Sequence, residues 1–278
     1  MPRFSLGTRR HLLGAALVLL ATSGHSHAAD PRRLTLTGSS TVAPLALEIA
    51  KRFEQLHPGV RVDVQSGGSS RGVTDARAGR ADIGMVSRPL KPEESDLRAQ
   101  AIAMDGVCII LHRSNPVATL SAAQIKAIYT GQITNWQAVG GPNEAITVVN
   151  KAEGRSTLEL FLHHFGLVNS QIQAQVVIGD NQQGIKTVAA NPGAIGYVSI
   201  GSADFEAMQG APIRLLGLGG VSATVAHVRD GSFPLSRPLN LVTRGPATGL
   251  AQAFLAFARS PAVHDLIVAQ YFVPLAAP

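Results

Sequence analysis

Apolar residues recur along this chain with two different periods, and the period switches at glycine-rich junctions. Val60, Val62 and Val64 alternate with polar residues, the pattern of a half-buried strand. Just before them, Leu45, Ile49, Phe53 and Leu56 fall at helical spacing, with Glu48, Lys51, Arg52 and Glu54 on the opposite face. Pro44 sits in that helix's first turn, where proline is tolerated, and His57-Pro58-Gly59 ends it. Strands are predicted at 34–37, 83–86, 107–111, 146–149, 194–198 and 239–242. The run Val107 to Leu111 is apolar without interruption, as in a strand covered on both faces. Helices are predicted at 74–78, 92–100, from the Ser121–Gln124 capping box through Tyr129, at 158–165, at 183–190, and from Thr248 to Gln270 with a break at Pro261. Gly131 to Asn143 reads as a loop and holds the only tryptophan, Trp136. Alternating strands and helices imply α/β layers, with mainly parallel sheets flanked by helices.

Three of the strand-to-helix junctions share one chemistry. They are Gly38-Ser39-Ser40-Thr41, Ser66-Gly67-Gly68-Ser69-Ser70-Arg71-Gly72, and Lys151-Ala152-Glu153-Gly154-Arg155-Ser156-Thr157. The first turn of a helix carries unpaired N–H groups and the positive end of the dipole. Glycine lets backbone approach a ligand, and serine and threonine hydroxyls add donors. Such ends suit a small oxyanion. In parallel α/β sheets ligands sit beyond the carboxyl ends of the strands, where all three junctions lie. They can converge on one point, with Lys151, Arg155, Arg71 or Arg88 as added cations.

Composition narrows the setting. Of 278 residues, 45% are hydrophobic and 15% charged, enough for a core and too apolar for disorder. Residues 1–28 read as an export signal: Arg3, Arg9 and Arg10 precede the apolar stretch 12–21, and Ser26-His27-Ala28 offers a cleavage site. The mature chain would begin at Ala29 or Asp30. Thr8-Arg9-Arg10-His11-Leu12-Leu13 fits a twin-arginine signal as well as a Sec signal. Without residues 1–28 the net charge falls from +6 to about +3. No basic run with interleaved aromatics points to nucleic acid. Cys108 is the single cysteine and sits in an apolar run, which makes it a packing residue. No P-loop, HExxH or CxxC occurs, so no cofactor or metal is implied.

The segments Gly38-Ser-Ser-Thr-Val-Ala-Pro-Leu45, Gly68-Ser-Ser-Arg-Gly-Val73, Ala81-Asp-Ile-Gly-Met-Val-Ser-Arg-Pro-Leu90, Pro192-Gly-Ala-Ile-Gly-Tyr-Val198 and Gly231-Ser-Phe-Pro-Leu-Ser-Arg-Pro-Leu239 follow one another in order. Together they resemble the phosphate-binding proteins of bacterial ABC uptake systems, within the periplasmic binding protein type II family. The resemblance implies a monomeric, periplasmic, non-enzymatic clamp of two α/β lobes, one formed by about 30–112 plus 222–278 and the other by 113–221. It also implies phosphate or a similar oxyanion in the interlobe cleft, and a permease and an ATPase as partners. By position it implies ligand contacts from Ser40, Thr41, the Val42 N–H, Ser69, Ser156 and Thr157. Ser70, Ser87, Arg88, Lys151 and Arg155 complete the candidate set. Lys151 stands where the family has an arginine, a point charge in place of a bidentate fork. The carboxylate that longer members place near Ser87 is absent here, and Glu153 is the nearest alternative acceptor for a proton on the ligand.

Other readings compete with this one. The same clamp could serve a secreted sensor or scaffold. Gly68-Ser69-Ser70-Arg71-Gly72 also fits the G-x-S-x-G nucleophile elbow, with Ser70 as nucleophile, but none of His163, His164, His227 and His264 lies in a loop that suggests a triad. His163 and His164 are adjacent on a helix, so their side chains diverge and hold no metal together.

Overall fold

The computed structural model describes Met1 and residues 32–275, so the export-signal reading lies outside the described residues. From Pro31 onward the chain forms a single compact unit. The first half runs β1 (Arg33–Gly38), α1 (Ala43–Leu56), β2 (Arg61–Ser66), α2 (Ser69–Arg77), β3 (Ile83–Val86) and β4 (Leu97–His112). Then come α3 (Ala122–Tyr129), β5 (Thr147–Lys151), α4 (Ser156–Phe165), β6 (Val176–Ile178), α5 (Asn181–Ala190), β7 (Ala194–Ser199), α6 (Ile200–Met208) and β8 (Ile213–Leu216). The chain closes with α7 (Val225–Arg229), β9 (Ser236–Arg244), α8 (Gly249–Ala258), α9 (His264–Ala269) and β10 (Val273–Pro274).

The strands form one hydrogen-bonded path in the order β2-β1-β3-β9-β4-β7-β5-β6. Pairing is parallel among β1, β2 and β3 and among β5, β6 and β7. It turns antiparallel where β4 and β9 join these groups, which makes the sheet mixed. β4 is the long element. Its first part pairs with β9, and its second part, from Val107, pairs with β7 and β8.

Two large apolar cores lie along this path. One gathers Leu36, Leu45, Ile49, Phe53, Ile83, Ala103, Leu241 and Phe254; the other gathers Val107 to Leu111, Trp136, Phe161, Tyr197 and Leu235. A small third cluster sits under α2, around Val73, Val86 and Leu97. The division along β4 falls between Ala103 and Val107, ahead of the expected break at 112.

Sequence and structure part company in several places. Residues 92–100 do not form a helix. A short 3-10 turn at Pro92–Glu94 leads into β4, because Leu97 to Ala101 pair with Arg244 to Asn240 and that ladder outweighs the local helix formers. α2 begins at Ser69, so the glycine-rich stretch is itself the helix start. Leu56 ends α1 exposed, not on its buried face. Trp136 is fully buried in a 3-10 turn within the expected loop, its indole N–H donating to Gly193 O at 2.9 Å. The Ser121–Gln124 capping box forms as expected. Cys108 is buried and burial pushes its thiol pKa well up, so it stays an uncharged packing residue.

Glycine sets the distance between α2 and the sheet. A Cβ on Gly72 would lie 2.6 Å from Met85 O and 2.9 Å from Thr37 O. Both are strand backbone and cannot step aside. Gly72→Ala should therefore cost about 2 kcal/mol, despite a helix-propensity gain of about 1 kcal/mol. A lower urea midpoint at unchanged m-value would show it, and an unchanged or raised midpoint would refute the close-approach argument.

Candidate functional site

The expected convergence of helix N-termini occurs. Ser39, Ser40 and Thr41 before α1, Gly68 and Ser69 at α2, Ser87 after β3, and Lys151, Arg155, Ser156 and Thr157 at α4 line one cavity of about 10 Å³. That is room for roughly one water-sized group. α1, α2 and α4 each start without a side-chain cap, as do α8 and α9 away from the cavity, whereas α3, α5, α6 and α7 are capped by Ser121, Asp180, Ser199 and Thr224.

Gly68 and Gly154 bring two of these junctions together. Gly68 has φ +98°, and a Cβ there would meet Gly154 O at 2.6 Å. The Ser70 N–H donates to Gly154 O at 3.2 Å. Ser39 Oγ bonds Ser87 Oγ at 2.9 Å, and the Ser87 N–H donates to Ser69 Oγ at 3.2 Å.

Arg237, at 0% exposure, bonds three of the lining hydroxyls. Its guanidinium donates to Thr157 Oγ1 at 2.9 Å, Thr41 Oγ1 at 3.2 Å and Ser87 Oγ at 3.4 Å. Nε and Nη2 reach Asp105 Oδ2 at 3.1 and 2.8 Å. Asp105 Oδ1 accepts from Ser199 Oγ and the Gly201 N–H at 3.0 and 3.3 Å, so that carboxylate is fully engaged. Asn181 Nδ2 also donates to Thr41 Oγ1, at 3.1 Å.

Lys151, 3% exposed at the end of β5, has no hydrogen-bond partner for Nζ among the described residues; nor have Arg155 Nε and Ser156 Oγ. Burial, aided by Arg237 and Arg155 and opposed by Asp180, pushes the Lys151 ammonium down to about 7. Buried donors left unpaired on one wall are costly unless a ligand completes them.

Some expected residues lie elsewhere. Arg88 is off the cavity wall: its guanidinium is held by Glu94 at 2.7 and 2.8 Å and lies 3.0 Å from Glu159. Ser70 faces Glu159, 3.4 Å from Oε1, and is not a lining residue. The Val42 N–H is taken by Ser39 Oγ at 3.3 Å, and Val42 itself does not line the cavity. Arg71 pairs with Asp75 at 3.1 Å, beside the surface. Glu153 is exposed and accepts from Asn169 at 3.0 Å. Sequence reading missed Ser39 and Arg237. The available signal was two lone charges, Asp105 and Arg237, set in apolar strand segments, since such charges are buried only when paired.

A PBP superfamily domain matches residues 25–262. The phosphate-binding protein PstS of Bacillus subtilis is 30% identical over 249 residues, covering 87% of this chain and 80% of that protein. The chain belongs to the PstS-type solute-binding family. A Clostridium perfringens structure described as a phosphate ABC transporter substrate-binding protein with bound phosphate superposes with a TM-score of 0.80 at 32% identity, covering 88% of this chain and all of that one. An ABC-type phosphate transport receptor from Vibrio cholerae gives 0.72 at 30% identity, over 87% of this chain and all of that one. These PstS-type relatives bind substrate for transport and are not enzymes, so the Ser70 elbow reading falls. Among the described residues no helix is long and apolar enough to cross a membrane.

The Asp105–Arg237 pair can be tested directly. Asp105→Asn keeps the side-chain shape but leaves a buried guanidinium uncompensated. It should lose about 3–5 kcal/mol in urea unfolding without added oxyanion. A loss below about 1 kcal/mol would mean that Arg237 does not depend on this carboxylate.

Proposed function

We propose that the protein is an extracytoplasmic solute-binding component that captures inorganic phosphate, or an oxyanion of like size and shape, for an ABC importer. The observation that carries this reading is the set of unpaired buried donors, Lys151 Nζ and Ser156 Oγ, on a wall otherwise made of hydroxyls and helix N-termini. Ser40, Thr41, Ser69, Ser87, Ser156 and Thr157 supply donors; Lys151, Arg155 and Arg237 supply charge. The phosphate bound by these relatives, and the signal-like residues 1–28, support the same role.

A cavity of about 10 Å³ must widen to admit a tetrahedral anion. Two cores joined at β4 and β9 offer a way: lobes of about 32–106 plus 236–275 and 107–235 part, admit the anion and close on it. The closed form presents a monomeric surface to a permease whose ATPase drives import.

Phosphate at about 1,000 times Kd should stabilise the native state by roughly 4 kcal/mol, a rise in Tm of about 8–16 °C. No thermal shift with any tetrahedral oxyanion would defeat the reading.

Selectivity follows from the same wall. No carboxylate lines the cavity, Glu153 faces solvent, and Asp105 is engaged, so nothing there repels a fully ionised anion. Competition titration at pH 6.5 should find phosphate favoured over sulfate by less than about 30-fold, or about 2 kcal/mol, with Glu153→Gln unchanged. A preference above about 1,000-fold, lost in Glu153→Gln, would place the acceptor there after all.

A further inference from the structure

We infer that Lys151 is a neutral amine in the anion-free protein in mildly alkaline solution and gains a proton when an oxyanion enters, so that capture there takes up about one proton from solvent. This rests on the oxyanion reading of the cavity and adds its proton linkage.

The geometry leaves an ammonium at Lys151 with no direct partner. Nζ is buried and makes no hydrogen bond to the described residues. A buried charge in that position is costly, and lysine, unlike arginine, can relieve the cost by losing its proton. Of the groups around it, only Asp180 on the turn before α5 favours the charged form, and burial with the two guanidinium groups outweighs it. From β9 comes Arg237, which carries a fixed positive charge. From the start of α4 comes Arg155, also cationic. From β7 comes Tyr197, whose hydroxyl accepts from the Lys151 N–H at 3.4 Å and donates to Asn150, and which burial keeps protonated. From α2 and the β1–α1 turn come only serines and Thr41. The carboxylates are engaged by other partners. Asp105 on β4 is saturated by Arg237, Ser199 and Gly201, and Asp180 caps α5 through the Gln183 N–H at 2.8 Å. An anion in the cavity changes this balance, because it offers Lys151 both an acceptor and an opposite charge.

The sign of the effect is fixed. Burial and the two guanidinium groups lower the anion-free pKa to about 7, far below the usual value for lysine, and a bound anion raises it again. Above pH ~7 the anion-free lysine is neutral and the loaded one charged, so binding takes up a proton and weakens as pH rises. For sulfate, whose charge is constant in this range, Kd should rise by up to about tenfold per unit above pH ~7 and stay flat below it.

The chain has five lysines, and Lys51, Lys91, Lys126 and Lys186 are exposed. NMR titration of protein labelled at lysine Cε therefore isolates Lys151, with the four exposed residues assigned by substitution to Arg should Lys151→Arg fail to fold. In phosphate-stripped protein one resonance should titrate near pH 7, and saturating phosphate should move it up by about two units. Calorimetry at pH 8.5 in two buffers of different ionisation enthalpy should then count about one proton taken up per anion. Lys151→Arg, which keeps its charge, should bind with a pH-independent sulfate Kd. If all five lysines titrate near 10 in stripped protein that still binds phosphate, the inference is wrong and the oxyanion reading stands. If one titrates near 7 but neither phosphate nor sulfate moves it or binds, the oxyanion reading fails and the coupling fails with it.

Discussion

Asp105 and Arg237 face each other on β4 and β9 at the point where both strands pass from one apolar core to the other. Neither side chain reaches solvent, so each is tolerable only because the other is there. The pair does more than neutralise charge. Asp105 takes two of the guanidinium's N–H directions, which leaves the rest aimed at Thr157, Thr41 and Ser87. Thr41 and Ser87 come from the first core's side and Thr157 from the second's. One side chain therefore sets the relative position of helix ends that the chain builds more than a hundred residues apart. The guanidinium's rigid fork suits this task, since a lysine ammonium would fix no angles.

Helix starts supply the remaining donors, and glycine decides how closely they meet. Gly68 and Gly154 let the α2 and α4 junctions touch backbone to backbone, which a side chain at Gly68 would forbid. The same economy operates behind the site, where Gly72 and Gly84 seat α2 directly on β3. Uncapped helix ends are a cost to the isolated fold. Four helices away from the cavity, α3, α5, α6 and α7, carry side-chain caps, although α8 and α9 do not.

Much of this was legible in the sequence, because local patterns carried it. The alternation of Val60, Val62 and Val64, the face of α1, the buried run 107–111 and the Ser121 capping box are short-range signals, and short-range physics produced them. The lining serines and threonines were legible for the same reason: they sit at junctions where the period changes. The failures that bear on the site depend on partners the local pattern does not show. Residues 92–100 look helical until β9, far along the chain, offers Leu97 to Ala101 a ladder. Arg88 looks like a free cation beside a ligand loop until Glu94 and Glu159 are seen to hold it. Arg237 shows locally only as a lone charge in an apolar strand, because the partner that makes it tolerable is Asp105 and the groups it orients come from three other segments.

The cations near the cavity meet the same electrostatic difficulty in different ways. Two unit charges 4 Å apart repel by about 4 kcal/mol at an effective dielectric of 20, so cations gathered at one cavity each need a remedy. Arg237 is neutralised by a dedicated carboxylate. Arg155 is only half-buried and keeps part of its hydration. Lys151 has neither remedy, since it is buried and unpaired, and its chemistry supplies a third: it is the one cation of the three that can discharge. An arginine in its place would hold its charge with or without a ligand, and that charge would have to be matched by a further acid or tolerated as a standing destabilisation. Lysine at position 151 thus lets this cavity be both strongly cationic toward an anion and affordable without one.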